Sequence, residues 1–310
     1  MTAPATTGRV GFAGLGQMGF HLARHIQSAA SAHGVDVIGY DPSPATLARA
    51  SDAGLATADV PFQGFGAGDV LCVSVPDGSA VRSVLAGLGD LDACAGLIVL
   101  DHSSVSAGDA TDINSSMAAH GITYIDAPVT GGVLAAEQGT LTTIIGARAP
   151  ALAGVSWVPE SFSKKVVYAN RIGAGALLKS INNMIFNIAS IASMEGILLA
   201  RTAGIDDETL LDVLNNGTGV TYFSQVRYPK YIATGGFDAG MRVGLVNKDL
   251  QIALDAAREL GTTLPLCTAG RAMWSTALEV LGPQADSTEM MDVVSNEVTG
   301  RPVRTVLGQA

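Results

Sequence analysis

Strand-like runs crowd the first half of this chain and stop near residue 170. They are short and rich in β-branched residues, at 9–13, 36–40, 70–75, 97–101, 123–127, 141–146 and 166–169. Several are apolar at every position, as in Val70-Leu71-Cys72-Val73 and Leu97-Ile98-Val99-Leu100. A strand is apolar on both faces when both are covered, which is the state of a parallel sheet between two helical layers. Helical stretches separate the runs, so residues 1–171 are expected to form a doubly wound α/β domain. After Gly173 the pattern is helical throughout, at 173–203, 206–215, 221–234, 246–260, 266–281 and 287–298. Residues 172–310 are therefore expected to be an all-α domain entered through one long helix. The stretch 299–310 reads as a loose or partner-clasping tail.

Composition narrows the partners. At 310 residues there is room for two domains of roughly 100–200 residues each. Charged residues make up 15%, against about 25% in an average soluble protein, while 48% are hydrophobic. That balance implies much buried surface and a subunit interface. Net charge is −10, and no Lys/Arg cluster interrupts it, which argues against nucleic acid and anionic membranes. Cys72, Cys94 and Cys267 are scattered, with no CxxC or CxxH spacing, as expected in a reducing cytosol without a structural metal. Cys72 lies inside an apolar run and reads as a small core residue. The opening MTAPATTGR carries no export or organelle pattern, which gives a cytoplasmic expectation. The most apolar window, 184–200, is broken by Asn187, Ser190, Ser193 and Glu195, and reads as too short and polar to span a bilayer.

Gly14-Leu15-Gly16-Gln17-Met18-Gly19 follows the first strand and opens a helix. In that G-x-G-x-x-G context glycines permit a tight turn, close approach to a pyrophosphate, and packing of helix on sheet. The helix N-terminus adds amide donors for the phosphates. The second strand ends in Asp41, 22 residues after Gly19. An acid there accepts from both ribose hydroxyls and repels a 2′-phosphate, so NAD is expected over NADP. The plainer role for Asp41 is to start the turn Asp41-Pro42-Ser43-Pro44.

Val75-Pro76 and Asp101-His102-Ser103-Ser104 close the next strands on the carboxyl edge, where open α/β sheets bind ligands. His102, directly after a buried strand, reads as a packing or loop residue and not as a base. Asp126-Ala-Pro-Val-Thr130-Gly131-Gly132 offers a hydroxyl and two bare backbone amides. These suit a small anionic substrate's carboxylate without any cation, or else form a plain turn with an extra glycine.

From Ser180 to Met194 there is no Asp, Glu, Lys or Arg. Leu177, Leu178, Ile181, Ile185, Ile188, Ala189 and Ala192 keep helical spacing, while Lys179, Asn183, Asn187 and Ser190 follow one other face at steps of four, four and three. A solvated face mixes charges of both signs. One ammonium followed by amides and a hydroxyl reads as the lining of a partly dry cleft, where a lysine's charged form is disfavoured and it becomes a proton donor and acceptor. A lysine snorkelling to water is the bland alternative. Lys248-Asp249-Leu250 opens a further amphipathic segment, with Lys248 either reaching the same cleft or paired with Asp249 on a surface helix.

Taken in order, Gly14–Gly19, Asp101-x-Ser103-Ser104, Asp126–Gly132, Gly173-x-Gly175-x-x-x-Lys179-x-x-Asn182-Asn183 and Lys248-Asp249-Leu250 resemble the β-hydroxyacid dehydrogenase family, over roughly residues 9–298. Within it they are most similar to 3-hydroxyisobutyrate dehydrogenases and tartronate semialdehyde reductases. The resemblance implies a Rossmann domain, an all-α domain like that of 6-phosphogluconate dehydrogenase that supports a homodimer or homotetramer, and NAD(P)-linked oxidation of a short 3-hydroxy acid. It implies that Lys179 is the catalytic lysine, with Asn183 beside it touching substrate. Thr130, Gly131 and Gly132 match the substrate-anchoring loop. Gly14, Leu15, Gly16, Gln17, Met18, Gly19, Asp41, Val75, Pro76, Ser104 and Lys248 match cofactor contacts.

The chain also departs from the pattern. Thr130 stands where the family usually has serine, and its methyl narrows the pocket. His25 stands where asparagine is frequent, which puts a helix–sheet hydrogen bond in question. The related decarboxylating sugar-phosphate dehydrogenases carry an acid seven residues after the lysine, where this chain has Phe186. Imine reductases usually replace the lysine, which this chain keeps. Two alternatives stay open: a reductase of sulfonated or polyol-acid semialdehydes, and an inactive NAD-binding regulator. Loops around Tyr222, Phe223, Arg227, Phe237 and Arg242 are expected to shape substrate choice.

Overall fold

The alternation of strands and helices builds a parallel sheet in the order β3-β2-β1-β4-β5-β6. Its strands are β1 (Val10–Ala13), β2 (Val37–Tyr40), β3 (Ala56–Thr57), β4 (Val70–Val73), β5 (Ile98–Asp101) and β6 (Thr123–Asp126). The structure is a computed structural model and describes residues 8–60 and 62–307. Most of the N-terminal stretch read for targeting signals, and the last three residues of the tail, lie outside them. The described residues form two compact units that divide between Lys179 and Ser180. The boundary expected at 171/172 marks where the strand pattern ends, whereas the first helical turn beyond it still belongs to the sheet unit.

Period-two alternation fills both faces of the sheet. Val10, Phe12, Val70, Cys72 and Leu100 enter one apolar layer. Ala13, Leu71, Val73 and Val99 enter the other. The helices of this unit are α1 (Gly19–Ala30), α2 (Pro44–Asp52), α3 (Gly78–Ala86), α4 (Ala107–Ala118), α5 (Gly132–Glu137) and α6 (Trp157–Glu160).

Two short strands were not legible in the sequence: β3, and β7 (Val129–Thr130). The last three strands also leave the main sheet. β7 pairs antiparallel with β8 (Leu141–Ile145), which pairs in parallel with β9 (Ser163–Tyr168). β9 begins three residues before the apolar run that announced it, because its start is Ser163-Lys164-Lys165 with exposed lysines.

The helical unit contains most of α7 (Ala174–Thr202), then α8 (Asp207–Asn216), a π-helix (Phe223–Ile232), α9 (Val243–Glu259), α10 (Pro265–Leu281), α11 (Met290–Thr299) and α12 (Val303–Val306). Tyr222, Phe223 and Arg227, expected in loops, lie at or within the π-helix. Pro229 inside it has no N–H for the carbonyl of Ser224 five residues back. The Asn215 side-chain amide donates to that carbonyl instead, at 3.4 Å. The tail is not loose over its described part. Val303 and Leu307 are buried in the helical core, and the Val303 N–H donates to Asp292 at 3.2 Å.

α7 is built the reverse of a surface helix. Ile185 is 58% exposed, and Leu178 and Ile181 are also open, whereas Asn183, Asn187 (1% exposed) and Ser190 are buried. The apolar window within it was read as too short to span a bilayer, but α7 as a whole is long and apolar enough to do so by length and composition. Ile191, Met194, Ile197 and Leu198 nevertheless sit in the core of the helical unit.

Where α7 begins, Asp126 at the end of β6 holds it. Its carboxylate accepts from the N–H of Gly173 at 3.0 Å and of Ala176 at 2.9 Å. Those are donors that a helix start leaves without internal partners. Burial pushes the Asp126 carboxyl pKa up, against the opposing pull of these N–H groups. A Cβ at Gly175 would sit 2.7 Å from the Ile144 carbonyl, and one at Gly146 would collide with the Asp126 carboxylate. Glycine is required at both places for the helix to approach this closely. Replacing Asp126 with Ala orphans two N–H groups and is expected to lower stability by about 1–3 kcal/mol in urea unfolding, with a smaller loss for Asp126→Asn. A loss under about 0.5 kcal/mol for Asp126→Ala would contradict this role.

Candidate active site

The glycine loop uses its three fixed glycines for three different reasons. Gly14 has φ +90°, and a Cβ there would come within 2.2 Å of the Ser74 carbonyl oxygen. A Cβ at Gly19 would strike the Gly14 carbonyl, so α1 packs onto β1 only through glycine. A Cβ at Gly16 would meet nothing within 4 Å, which leaves the loop backbone bare on its outer side. α1 starts at Met18 with no side-chain cap and no acid in its first turn. Bare backbone, uncapped N–H groups and the positive end of the helix dipole fit a pyrophosphate. Leu15 is buried beneath the loop, and Gln17 is exposed on it.

Asp41 starts the turn read for it and also reaches the glycine loop. One oxygen accepts from the Ser43 N–H at 2.9 Å, as a turn-starting acid does, and the other accepts from the Leu15 N–H at 2.8 Å. The acid therefore braces the glycine loop at the carboxyl end of β2. Arg49 of α2 donates to the Leu15 carbonyl and stacks over Phe20, placing a cation beside the same loop.

The ends of β4, β5 and β6 are tied by one network. The Val75 N–H donates to the Ser103 hydroxyl at 3.0 Å, and the Ser103 N–H donates to Asp101 at 2.9 Å. The Tyr124 hydroxyl donates to the other Asp101 oxygen at 2.6 Å. Burial raises the pKa of both Asp101 and Tyr124. Ser104, the serine singled out from the sequence, is half-buried beside this network, and Pro76 is exposed. Thr130 ends β7, and Gly131 and Gly132 follow with φ +134° and +76°, leading into α5. A Cβ at Gly132 would meet nothing within 4 Å, so its backbone is open to an approaching group. His25 does make a helix contact, but to another helix: its Nε2 lies 3.0 Å from the carbonyls of Ala136 and Glu137 in α5.

His102 is a core residue. Its Nδ1–H donates to the Ala127 carbonyl at 2.8 Å, and its ring packs against Phe12 and Phe162. Burial pushes its pKa down to about 4, so it is neutral at pH 7. The sign of the consequence follows from its unfolded value of 6.5. Between pH 6.5 and about 4 the unfolded chain binds a proton that the folded chain refuses, so stability falls as pH falls through that window. At about 1.4 kcal/mol per pH unit the loss amounts to roughly 3 kcal/mol. His102→Gln should remove this acid sensitivity in denaturation curves taken at pH 7 and pH 4.5. Parallel losses in wild type and variant would contradict it.

Lys179 is half-buried on α7, one turn after Ala176 and one turn before Asn183. In the helical unit Asn183 is fixed by Asp249: its Nδ2 donates to one carboxylate oxygen at 2.7 Å. Lys248 pairs with the other oxygen at 3.3 Å. Asp249 is 6% exposed and joins Lys248 to Asn183, which the sequence did not reveal. The reading of Lys248-Asp249 as a commonplace surface pair is half right, since the pair exists and its acid is buried. Asn182 donates to the Asn183 Oδ1 at 3.2 Å, and Asn187 donates to the Asn183 backbone carbonyl at 2.8 Å. The side-chain amide of Asn183 is thus held at both its nitrogen and its oxygen.

Known proteins share both units. Residues 9–170 match the NAD-binding domain of 6-phosphogluconate dehydrogenase, and residues 173–294 match a domain described as the NAD-binding domain of NADP-dependent 3-hydroxyisobutyrate dehydrogenase. A 2-(hydroxymethyl)glutarate dehydrogenase of Eubacterium barkeri is 32% identical over 276 residues, covering 86% of this chain and 90% of its own length. The 3-hydroxyisobutyrate dehydrogenase of Mycobacterium tuberculosis, solved with L-serine, superposes with a TM-score of 0.79 at 27% identity, over 93% of this chain and 98% of that one. Psf3 in complex with NADP+ superposes with a TM-score of 0.80 at 26% identity, over 92% of this chain and 100% of that one. The chain belongs to the β-hydroxyacid dehydrogenase family. It is an oxidoreductase with NAD(P)-binding domains.

Proposed function

We propose that this chain oxidises a short, 3-hydroxyisobutyrate-like 3-hydroxy acid with NAD, or reduces the matching semialdehyde, with Lys179 as the acid–base group. The observation that carries the reading is the buried polar face of α7, with Lys179 at its head and Asn183 held by Asp249. When bound, NAD supplies the acceptor for a hydride from the hydroxyl-bearing carbon. The chain's own work is to hold and deprotonate. Thr130 and the backbone of Gly131 and Gly132 hold the substrate carboxylate. Asn183 orients the hydroxyl, and Lys179 Nζ takes its proton; in the reverse direction Lys179 returns it to the aldehyde oxygen. Acid–base help of this kind contributes about 10²–10⁴-fold, and alignment supplies the rest. Lys179→Ala should lose turnover on that scale in a dehydrogenase assay, while NAD affinity by fluorescence titration stays within about twofold. Near-native turnover would refute the role.

NAD preference rests on Asp41, whose carboxylate is fixed at the glycine loop where a 2′-phosphate would meet it. Arg49 at the same loop sharpens the test, because Asp41→Ala leaves a cation as the nearest charge. The kcat/KM ratio for NAD over NADP should exceed one in the wild type and fall at least about tenfold in Asp41→Ala. A wild type that favours NADP would overturn this assignment.

A further inference from the structure

Arg227 lies in the middle of the π-helix, within the helical unit, and is 8% exposed. Its Nη1 is shut off from solvent with no hydrogen-bond partner. The ion pairs among the described residues run through Arg9, Arg82, His120, Arg201, Lys248 and Arg258, and Arg227 takes part in none of them. Asp286 acts on it electrostatically, but no ion pair joins the two. One of its oxygens accepts from the N–H and hydroxyl of Thr288, and the other from the Gly240 N–H. Tyr222 and Tyr231 act on it as well, and the Phe186 ring lies 5.4 Å from the guanidinium carbon. A ring face returns only part of the hydration that a buried cation gives up, and burial accordingly pulls the Arg227 pKa down.

Beside Arg227 is a cavity of about 10 Å³, room for one oxygen-sized group, with Asn187, Ser190, Ser287 and Thr288 in its wall. A buried guanidinium nitrogen without a partner, beside a cavity walled in part by hydroxyls and an amide, can take one oxygen of an anion. The planar guanidinium fork suits a carboxylate. Phe186 and Asn187 belong to α7, one turn beyond Asn183.

We propose that Arg227 and this cavity form a subsite for a second carboxylate, carried by the substrate on a side arm. Building on the hydroxy-acid dehydrogenase reading, the inference narrows the substrate class to 3-hydroxy dicarboxylic acids. Any small oxyanion shares the same recognition chemistry, so the test separates a substrate arm from an inorganic ion.

Two matched 3-hydroxy acids serve as kinetic probes: 3-hydroxyisobutyrate and 2-(hydroxymethyl)glutarate, in which a carboxyethyl arm replaces the methyl. The kcat/KM ratio of the second over the first should fall at least tenfold in Arg227→Met and recover in part in Arg227→Lys. Glutarate, which has no hydroxyl to oxidise, and sulfate are titrated calorimetrically into the same three proteins. Glutarate binding should weaken at least tenfold in Arg227→Met. Arg227→Met also removes an unpaired buried charge, so its melting temperature without added anion should equal or exceed that of the wild type. An Arg227-dependent glutarate affinity supports the subsite even where neither hydroxy acid is oxidised, an outcome that would defeat only the dehydrogenase reading. Glutarate binding independent of Arg227, Arg227-dependent binding of sulfate alone, or an unchanged kinetic ratio would overturn the proposal.

Discussion

One carboxylate sets where the long helix begins. Asp126 sits at the end of β6, the edge strand of the parallel sheet, and takes up two N–H groups at the start of α7. A helix start needs such acceptors, and a buried acid needs such donors, so each resolves the other's deficit. Glycines at 146 and 175 allow the approach. The consequence reaches Lys179, three residues beyond Ala176 on the same helix, whose axial position and rotation follow from this anchor. The motif that begins with Asp126 and ends in Gly132 therefore has two parts, a brace at one end and an open glycine backbone at the other.

The inverted character of α7 is the second constraint. Its amides and hydroxyl are covered while a row of isoleucine and leucine side chains is open. Buried polar groups cost free energy unless they are bonded, and here each has a partner: Asn183 on Asp249, Asn187 on the Asn183 carbonyl, Ser190 on the Phe186 carbonyl. Satisfied in this way, they make a rigid lining. Arg227, Ser180 and Arg271 are the contrast in the same unit, each with a buried polar atom that meets no hydrogen-bond partner.

Features with a fixed chemical spacing were legible in the sequence. The glycine fingerprint, the acid after β2, six of the nine strands to within a residue or two, and the long helix all announce themselves through periodicity or residue type. β3 and β7 did not, because two residues are too few to show alternation. Nor did the separation of β7–β9 into their own sheet, since an apolar run does not say which strand it pairs with. The helix at 221–234 was legible but its π form was not, because the accommodation of Pro229 involves the Asn215 amide, which no local pattern shows. Asp126 and Asp249 were both visible as letters in motifs. Their roles depend on groups distant in sequence, 47 and 66 residues away, which no local pattern encodes.

The central claim is that one group carries a single proton in both directions of the reaction, and a pH profile tests it most directly. The pH dependence of kcat/KM would be measured for hydroxy-acid oxidation and for semialdehyde reduction with the same preparation. Oxidation needs the Lys179 amine unprotonated and reduction needs it protonated, so the account predicts two limbs of opposite direction, both abolished in Lys179→Ala. Profiles that keep their limbs in that variant, or limbs of the same direction in both reactions, would contradict it.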